Sequence, residues 1–82
     1  MRLDKFLKVS RLIKRRSVAN EISAAGRVQV NGRTAKPGTE VKPGDILEIG
    51  FGTGASRVRI LAVKDNVRKE EAELLYEILP EA

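Results

Sequence analysis

The spacing of the apolar residues changes at Gly26, and this change constrains the fold more than any other feature of the chain. From Leu3 to Gly26, apart from a basic interruption at residues 14–16, apolar residues recur at helical spacing, which is typical of amphipathic helices. Directly after Gly26, Val28 and Val30 alternate with polar residues, as in a strand buried on one side. The sequence therefore predicts an α+β fold, in which two N-terminal helices pack on a small curled antiparallel sheet and a C-terminal helix follows. With 82 residues, the chain is expected to form one domain over residues 1–82.

The first helix is predicted over Leu3–Ile13. One side of it carries the apolar residues, with small Ser10 among them. We expect Asp4, Lys8 and Arg11 on the opposite side, where Asp4 and Lys8 support the helix as an acid four residues before a base. The pattern thus predicts an amphipathic helix with a basic outer stripe.

The second helix is predicted between Ser17 and Gly26. Ser17 is a suitable N-cap, since its hydroxyl can accept a hydrogen bond from a free backbone N–H of the first turn. Gly26 is a suitable end, because glycine adopts the left-handed conformation after the last turn. A short basic corner at residues 14–16 separates the two helices. The predicted buried stripe consists of Val18, Ile22 and Ala25.

The second half of the chain reads as short strands joined by turns. Asn31-Gly32 is the strongest turn signal, because both residues tolerate positive φ, and it predicts a tight hairpin. The later elements are predicted as a strand over 46–49, a loop over 51–56, a strand over 58–63 and a helix over 68–75. In the strand over 58–63, Val58 and Ile60 should face the core. Tyr76–Leu79 could extend the last helix or form a short strand, and we favour the strand.

Charge is distributed unevenly along the chain. Residues 1–36 contain ten lysines and arginines against two acidic residues, a balance of +8, whereas residues 37–82 contain six against nine, a balance of −3. This asymmetry indicates a polyanionic partner for the basic half. The alternative is a solvated basic surface without a partner, which fits less well because the charges cluster instead of alternating in sign.

The basic half supplies the candidate RNA-binding residues. Lysine and arginine neutralise phosphates and displace condensed counterions, and arginine adds bidentate phosphate geometry. The candidates are Arg2, Lys5, Lys8, Arg11, Lys14, Arg15, Arg16, Arg27, Arg33 and Lys36.

Enzymatic chemistry has little support in the sequence. The chain contains no histidine and no cysteine, which excludes a Ser-His-Asp triad, a thiolate metal site and a disulfide. The glycine-rich stretch Gly50–Gly54 lacks the lysine of a phosphate-binding loop. We therefore expect no enzymatic activity, no metal and no cofactor. No apolar run is long enough to cross a membrane and no signal peptide is evident, so we expect a cytoplasmic protein that does not contact a membrane.

Aromatic residues are scarce, which bears on the kind of nucleic acid that is recognised. Modules that read single-stranded bases usually stack them on aromatic side chains. Only Phe6, Phe51 and Tyr76 are present, and Phe6 belongs to the apolar stripe of the first helix. We therefore expect recognition of folded RNA through its shape and phosphate positions more than through base sequence.

The order of residues in the first half resembles a known RNA-binding domain. The chain is similar to the domain first seen in small-subunit ribosomal protein S-four, also called the αL motif, over about residues 2–49. The matching positions are Arg2-Leu3-Asp4-Lys5-Phe6-Leu7, Arg11, Arg15-Arg16-Ser17, Ala19, Ile22, Gly26-Arg27-Val28, Val30-Asn31-Gly32 and Val41-Lys42-Pro43-Gly44-Asp45. The opening Met-Arg-Leu-Asp and the tail from Lys69 to Leu79 also resemble the stand-alone RqcP branch of the heat-shock RNA-binding proteins, with residues 57–79 as a C-terminal extension of the motif.

This resemblance implies a role in ribosome-associated quality control. The protein would bind the obstructed large ribosomal subunit through 23S rRNA and peptidyl-tRNA, beside an RqcH-type factor that adds alanine tails to stalled nascent chains. Arg2 and Arg16 are carried over as the principal RNA contacts, with Lys8, Arg11 and Arg15 next. Asn20 stands where several relatives carry a basic residue. We expect the protein to act as a monomer.

Two other functions use the same features. A ribosome-assembly or heat-shock factor would bind rRNA through the same basic surface, so the sequence barely separates it from the first hypothesis. A DNA-binding helix-turn-helix regulator is compatible with the two helices. It would usually need a dimer to span two half-sites, and no spare apolar face for a dimer is evident.

Overall fold

The computed structural model describes residues 1–51 and 54–80, and it confirms the α+β fold. Two short α-helices, α1 (Leu3–Val9) and α2 (Arg16–Ala24), precede the strands. The strands are β1 (Val28–Val30), β2 (Arg33–Thr34), β3 (Ile46–Phe51), β4 (Gly54–Ile60) and β5 (Tyr76–Leu79). A 3₁₀ helix (Lys69–Leu75) lies between β4 and β5. No helix of the described residues is long and apolar enough to cross a membrane.

The five strands form one antiparallel sheet in the order β2-β1-β3-β4-β5. The predicted hairpin between β1 and β2 is present, with φ of 52° at Asn31 and 83° at Gly32, the two positive values that a two-residue turn of this kind requires. The Asn31 side chain also joins the hairpin to β3, since its Oδ1 accepts from the Ile46 N–H at 2.9 Å. The turn therefore fixes both the hairpin and the start of the next strand.

The core lies between the two helices and one face of the sheet. Its helical part consists of the apolar residues predicted for α1, together with Ala19 of α2. The sheet contributes Val58 and Ile60, which are buried, while Arg59 between them is exposed, as the alternation predicts. The largest fully buried side chains are Phe6, Leu3, Leu7, Leu47, Ile49, Ile60 and Leu75.

The first helix is shorter than predicted, and one of the residues expected on its outer face is buried. It ends at Val9, and Arg11 adopts a left-handed φ of 60°, so the predicted residues beyond Ser10 are not helical. Ile13 nevertheless returns to the core. Asp4, expected on the outer face beside Lys8, is buried, which makes that expectation wrong. The reason is tertiary: Asp4 faces cationic groups that come from outside its own helix.

The second helix begins two residues earlier than predicted. Arg15 occupies the N-cap position, and its side chain forms no capping hydrogen bond with the described residues. Ser17 therefore lies inside the first turn, and its assignment as N-cap is wrong. The end at Gly26 is confirmed, with a positive φ of 78°. Gly26 N–H donates to Ser23 at 3.0 Å and Arg27 N–H to Ile22 at 3.1 Å, the paired hydrogen bonds of a glycine-terminated helix.

The buried stripe of α2 was predicted one position away from the observed one. Ala19 and Ser23 are buried, Ile22 is half-buried, and Val18 is 38 % exposed. Small residues let α2 approach α1 closely. The buried Ser23 hydroxyl donates a hydrogen bond to the Ala19 carbonyl at 2.8 Å. A pattern of large apolar residues therefore mislocates the contact face, because the face is made of small ones.

The C-terminal elements differ from prediction in their limits. The helix expected over 68–75 is a 3₁₀ helix, and Tyr76–Leu79 is a strand, as favoured. The strand expected over 58–63 ends at Ile60 but begins at Gly54, inside the predicted loop over 51–56. Residues 52 and 53 of that loop lie outside the described residues.

Candidate RNA-binding surface

A buried carboxylate organises the two arginines that were ranked first. Asp4 Oδ1 accepts a hydrogen bond from Arg2 Nε at 3.1 Å, and Asp4 Oδ2 lies 3.3 Å from Arg2 Nη2. Arg16 Nη2 lies 3.6 Å from Asp4 Oδ1, and Asn20 Nδ2 donates to Asp4 Oδ2 at 3.3 Å. The Lys5 backbone N–H donates to the same carboxylate at 2.8 Å. We call Arg2, Asp4, Arg16 and Asn20 the arginine cluster.

The fold brings these residues together from separate segments. Arg2 precedes α1 and forms an isolated β-bridge with Glu40, which fixes the chain entering the helix. Arg16 and Asn20 lie one turn apart on α2, so both reach the same side of that helix. Because α1 packs against α2, Asp4 in the first turn of α1 meets Arg16 and Asn20, while Arg2 reaches it from the position just before α1.

The electrostatics of the arginine cluster favour an ionised Asp4. Burial alone would raise the pKa of this carboxyl, but the hydrogen bonds from Arg2 and Asn20, together with the charges of Arg16 and Arg2, outweigh it and hold the pKa below the ordinary value. Two guanidinium groups thus share one carboxylate. The three charged groups together retain one positive charge, which remains available for an external anion.

Both arginines of the cluster stay accessible to a ligand. The Asp4 side chain is 3 % exposed, whereas those of Arg2 and Arg16 are 51 % and 50 % exposed. A guanidinium has five N–H donors in a rigid fork, so contact with one carboxylate leaves donors for a phosphate. The arrangement can therefore hold two half-exposed guanidinium groups in fixed positions and present them to a polyanion.

Lys5 is paired differently from the arginine cluster. Its Nζ lies 2.8 Å from Asp65 Oδ1, in the segment between β4 and the 3₁₀ helix. Lys5 lowers the pKa of Asp65, which is exposed. The sequence had placed Lys5 among residues free to bind phosphate, and the structure shows that an acidic residue of the second half competes for it.

Four other predicted residues lie at or near the connection between α1 and α2. Lys8, Arg11, Lys14 and Arg15 are all exposed. None of them forms an ion pair with another residue of the described chain. The left-handed φ of Arg11 turns the chain sharply after α1. These four cations therefore have no ion-pair partner in the part of the chain that the structure describes.

The remaining three candidates lie further along the chain. Arg27 follows the end of α2, Arg33 opens β2 and Lys36 follows β2, and all three are exposed. No hydrogen bond or ion pair of the described residues joins their side chains to the arginine cluster. The structure thus joins Arg2 and Arg16 through Asp4, and among the described residues no ion pair links another candidate side chain to this pair.

Sequence reasoning missed two members of the cluster. Asp4 was read as a surface partner of Lys8, and Asn20 was noted only as a departure from a basic residue in relatives. One signal was available: apart from Asp4 no acidic residue occurs before Glu21, and Asp4 stands two residues from Arg2. An acid isolated among cations is a candidate for a structural ion pair.

Comparisons with known proteins show what the chain resembles in sequence and in fold. The family model of the S4 domain matches residues 1–47. The chain is 60 % identical over 81 residues to the RQC P-site tRNA stabilizing factor of Halalkalibacterium halodurans, covering 99 % of this chain and 92 % of that protein. It is 52 % identical, with the same coverage, to the protein of that name from Streptococcus pneumoniae. Among solved structures, the trimeric heat shock protein 15 of Vibrio cholerae superposes with a TM-score of 0.88 at 34 % identity, covering 96 % of this chain and 81 % of that one.

Proposed function

Because the chain belongs to the S4-domain family, and within it to the RQC P-site tRNA stabilizing factors, we propose that it stabilises tRNA during ribosome-associated quality control. In this proposal it binds the obstructed large ribosomal subunit through 23S rRNA and peptidyl-tRNA. It supports an RqcH-type factor that adds alanine tails to stalled nascent chains. The observation that carries the proposal is the arginine cluster, in which two half-exposed guanidinium groups are held by one buried carboxylate.

The protein would act by binding and without catalysis. Arg2 and Arg16 would contact backbone phosphates of folded RNA, and the exposed cations at the corner between α1 and α2 would add attraction over a wider area. Fixed guanidinium positions match one arrangement of phosphates better than flexible side chains do, because less side-chain entropy is lost on binding. A rigid cluster therefore suits a factor that must hold one tRNA position.

The remaining partner assignments follow from this role. A factor of translation quality control works in the cytoplasm, and we assign this chain to that compartment. We also assign it a monomeric state when it is bound to the subunit. The ten basic residues named from the sequence form the proposed RNA-binding surface, with Arg2 and Arg16 as its principal contacts, and the whole of residues 1–82 acts as one RNA-binding unit.

The experiment that tests this function uses a strain in which the gene is deleted. Restoring the wild-type protein should restore alanine tails on stalled nascent chains, and the tagged protein should co-sediment with large subunits. Normal alanine tails in the deletion strain would contradict the proposal. Accumulation of assembly intermediates with normal tails would instead support a ribosome-assembly role. The higher identity to the stabilizing factors, 52 % to 60 %, compared with 34 % to heat shock protein 15, favours the first outcome.

A further inference from the structure

The sheet ends on one side in β5, and the outer edge of this strand is open at Ile78. Among the described strands, β5 has a neighbour, β4, on one side only. Ile78 is 76 % exposed, although Val58, its partner in the ladder, is buried. A large apolar residue of an edge strand is therefore exposed, and an edge strand is a place where another chain can pair.

The hydrogen-bond pattern shows which backbone groups of β5 face outward. Ile60 N–H donates to Asp45 O at 2.9 Å, and Ile60 O accepts from Gly44 N at 2.8 Å, so both groups of Ile60 point away from β5. Its partner Tyr76 is consequently in a non-hydrogen-bonded pair. Because the pattern alternates along an antiparallel ladder, Ile78 also directs its N–H and C=O outward. The ladder with β4 is held by the residues on either side of Ile78.

The segment that leads into this edge has a net charge opposite to that of the RNA-binding surface, although Arg57 and Arg59 lie on the neighbouring strand β4. Residues 69–79 contain one lysine and four glutamates, a balance of −3, whereas residues 1–36 carry +8. Leu74, in the same unit, is 69 % exposed. Glu77 is paired with Arg59 at 3.4 Å. The other three glutamates form no ion pair with a described residue; they are Glu70, Glu71 and Glu73.

We propose that the outer edge of β5 binds an extended protein segment that carries lysine or arginine between apolar residues. Such a segment would add a strand to the sheet through the outward N–H and C=O groups of Ile78. Its apolar side chains would cover Ile78, and its cations would meet the glutamates of the 3₁₀ helix. Nucleic acid is disfavoured at this end because the acidic residues repel phosphate. A second copy of the chain is disfavoured because edge-to-edge pairing would bring two acidic units together.

The proposal can be tested with a defined peptide and the intact protein. The probe is a short capped peptide of alternating valine and lysine. It is added to the labelled protein, and binding is monitored by backbone amide NMR. Amide shifts should change at Tyr76–Leu79 and in the 3₁₀ helix, while those of α1 and α2 stay fixed. A matched peptide of alternating valine and glutamate should not bind. This test does not involve RNA, so its failure leaves the proposed function intact.

Variants at Ile78 separate backbone pairing from nonspecific binding of the peptide. Ile78→Pro removes the outward N–H without removing a ladder hydrogen bond, and proline is tolerated at such edge positions. Ile78→Lys keeps the N–H but repels a basic segment, and it stays informative if the proline variant does not fold. Each should weaken peptide binding by about tenfold or more. Val18→Lys, at an exposed apolar residue of α2, is the matched control and should bind as the wild type does.

Three results would overturn the proposal. The first is equal binding of the basic and acidic peptides. The second is peptide-induced shift changes confined to the N-terminal half. The third is a concentration-dependent doubling of mass that Ile78→Lys abolishes, because it would assign the edge to a second copy of the chain.

Discussion

Asp4 accepts a hydrogen bond from Arg2 Nε at 3.1 Å and is almost completely buried, while Arg2 remains half exposed. The buried carboxylate therefore fixes the position of the Arg2 guanidinium without shielding it from solvent. Arg16 reaches the same carboxylate from another helix. Asp4 thus positions two arginines of the surface that we propose for RNA, although Asp4 does not itself face the ligand.

The first prediction concerns the role of Asp4 as a positioning residue. Asp4→Asn should lower the free energy of unfolding by roughly 1–2 kcal/mol, a value kept modest because the half-exposed arginines can be solvated. Binding to large subunits should weaken, although the substitution adds one unit of positive charge. Glu21→Gln, which makes the same charge change at an exposed position of α2, is the matched control. If Asp4→Asn binds subunits as tightly as Glu21→Gln does, Asp4 has no positioning role.

The second prediction concerns pH. The pKa of Asp4 in the folded protein lies below its ordinary value of 3.8. A carboxyl group of this kind contributes stability above its unfolded pKa, and the contribution is lost as the pH falls through the folded pKa. The stability difference between the wild type and Asp4→Asn should therefore be constant near neutral pH and shrink below about pH 4. Denaturant unfolding at a series of pH values measures it, and a difference that grows on acidification would contradict the account.

The third prediction concerns salt. Each phosphate contact that is lost should reduce the slope of log affinity against log salt concentration by about 0.7–0.9. Arg2→Ala and Arg16→Ala should each produce a reduction of this size in RNA binding measured over a salt series. Arg68→Ala, at an exposed arginine in the second half of the chain, should leave the slope unchanged. Equal slopes for all three variants would place the phosphate contacts elsewhere.

The fourth prediction concerns the ion pair between Lys5 and Asp65. Asp65→Asn should release Lys5 and raise RNA affinity by about twofold, the scale of one surface ion pair. Stability should not change measurably, since the pair is exposed to solvent. Glu70→Gln removes the same charge from the 3₁₀ helix without releasing Lys5, so it controls for net charge. An identical rise for both variants would show that only net charge matters.

Turn chemistry made much of the fold predictable. Gly26 and the pair Asn31-Gly32 have positive φ, and local sequence alone indicates both positions. The alternation that buries Val58 was equally visible. These features depend on neighbouring residues, which is why a sequence pattern finds them.

The parts that were missed depend on contacts between distant segments. Asp4 is buried because Arg16 and Asn20 arrive from α2, and no local pattern contains that information. The contact face of α2 was mislocated because it is built from Ala19 and Ser23, which a search for large apolar residues overlooks. The cations were identified from the charge distribution, and the family resemblance had already ranked Arg2 and Arg16 first, but the buried carboxylate that joins these two arginines required the structure.

The most direct test of the central claim is the affinity of purified large subunits carrying peptidyl-tRNA for two matched double variants. Arg2→Ala with Arg16→Ala removes the two guanidinium groups of the arginine cluster. Arg57→Ala with Arg59→Ala removes the same charge from β4. Both proteins must first show a folded NMR spectrum. We predict that the first variant loses co-sedimentation with the subunits at a salt concentration where the second retains it; equal retention, or equal loss, would contradict the claim.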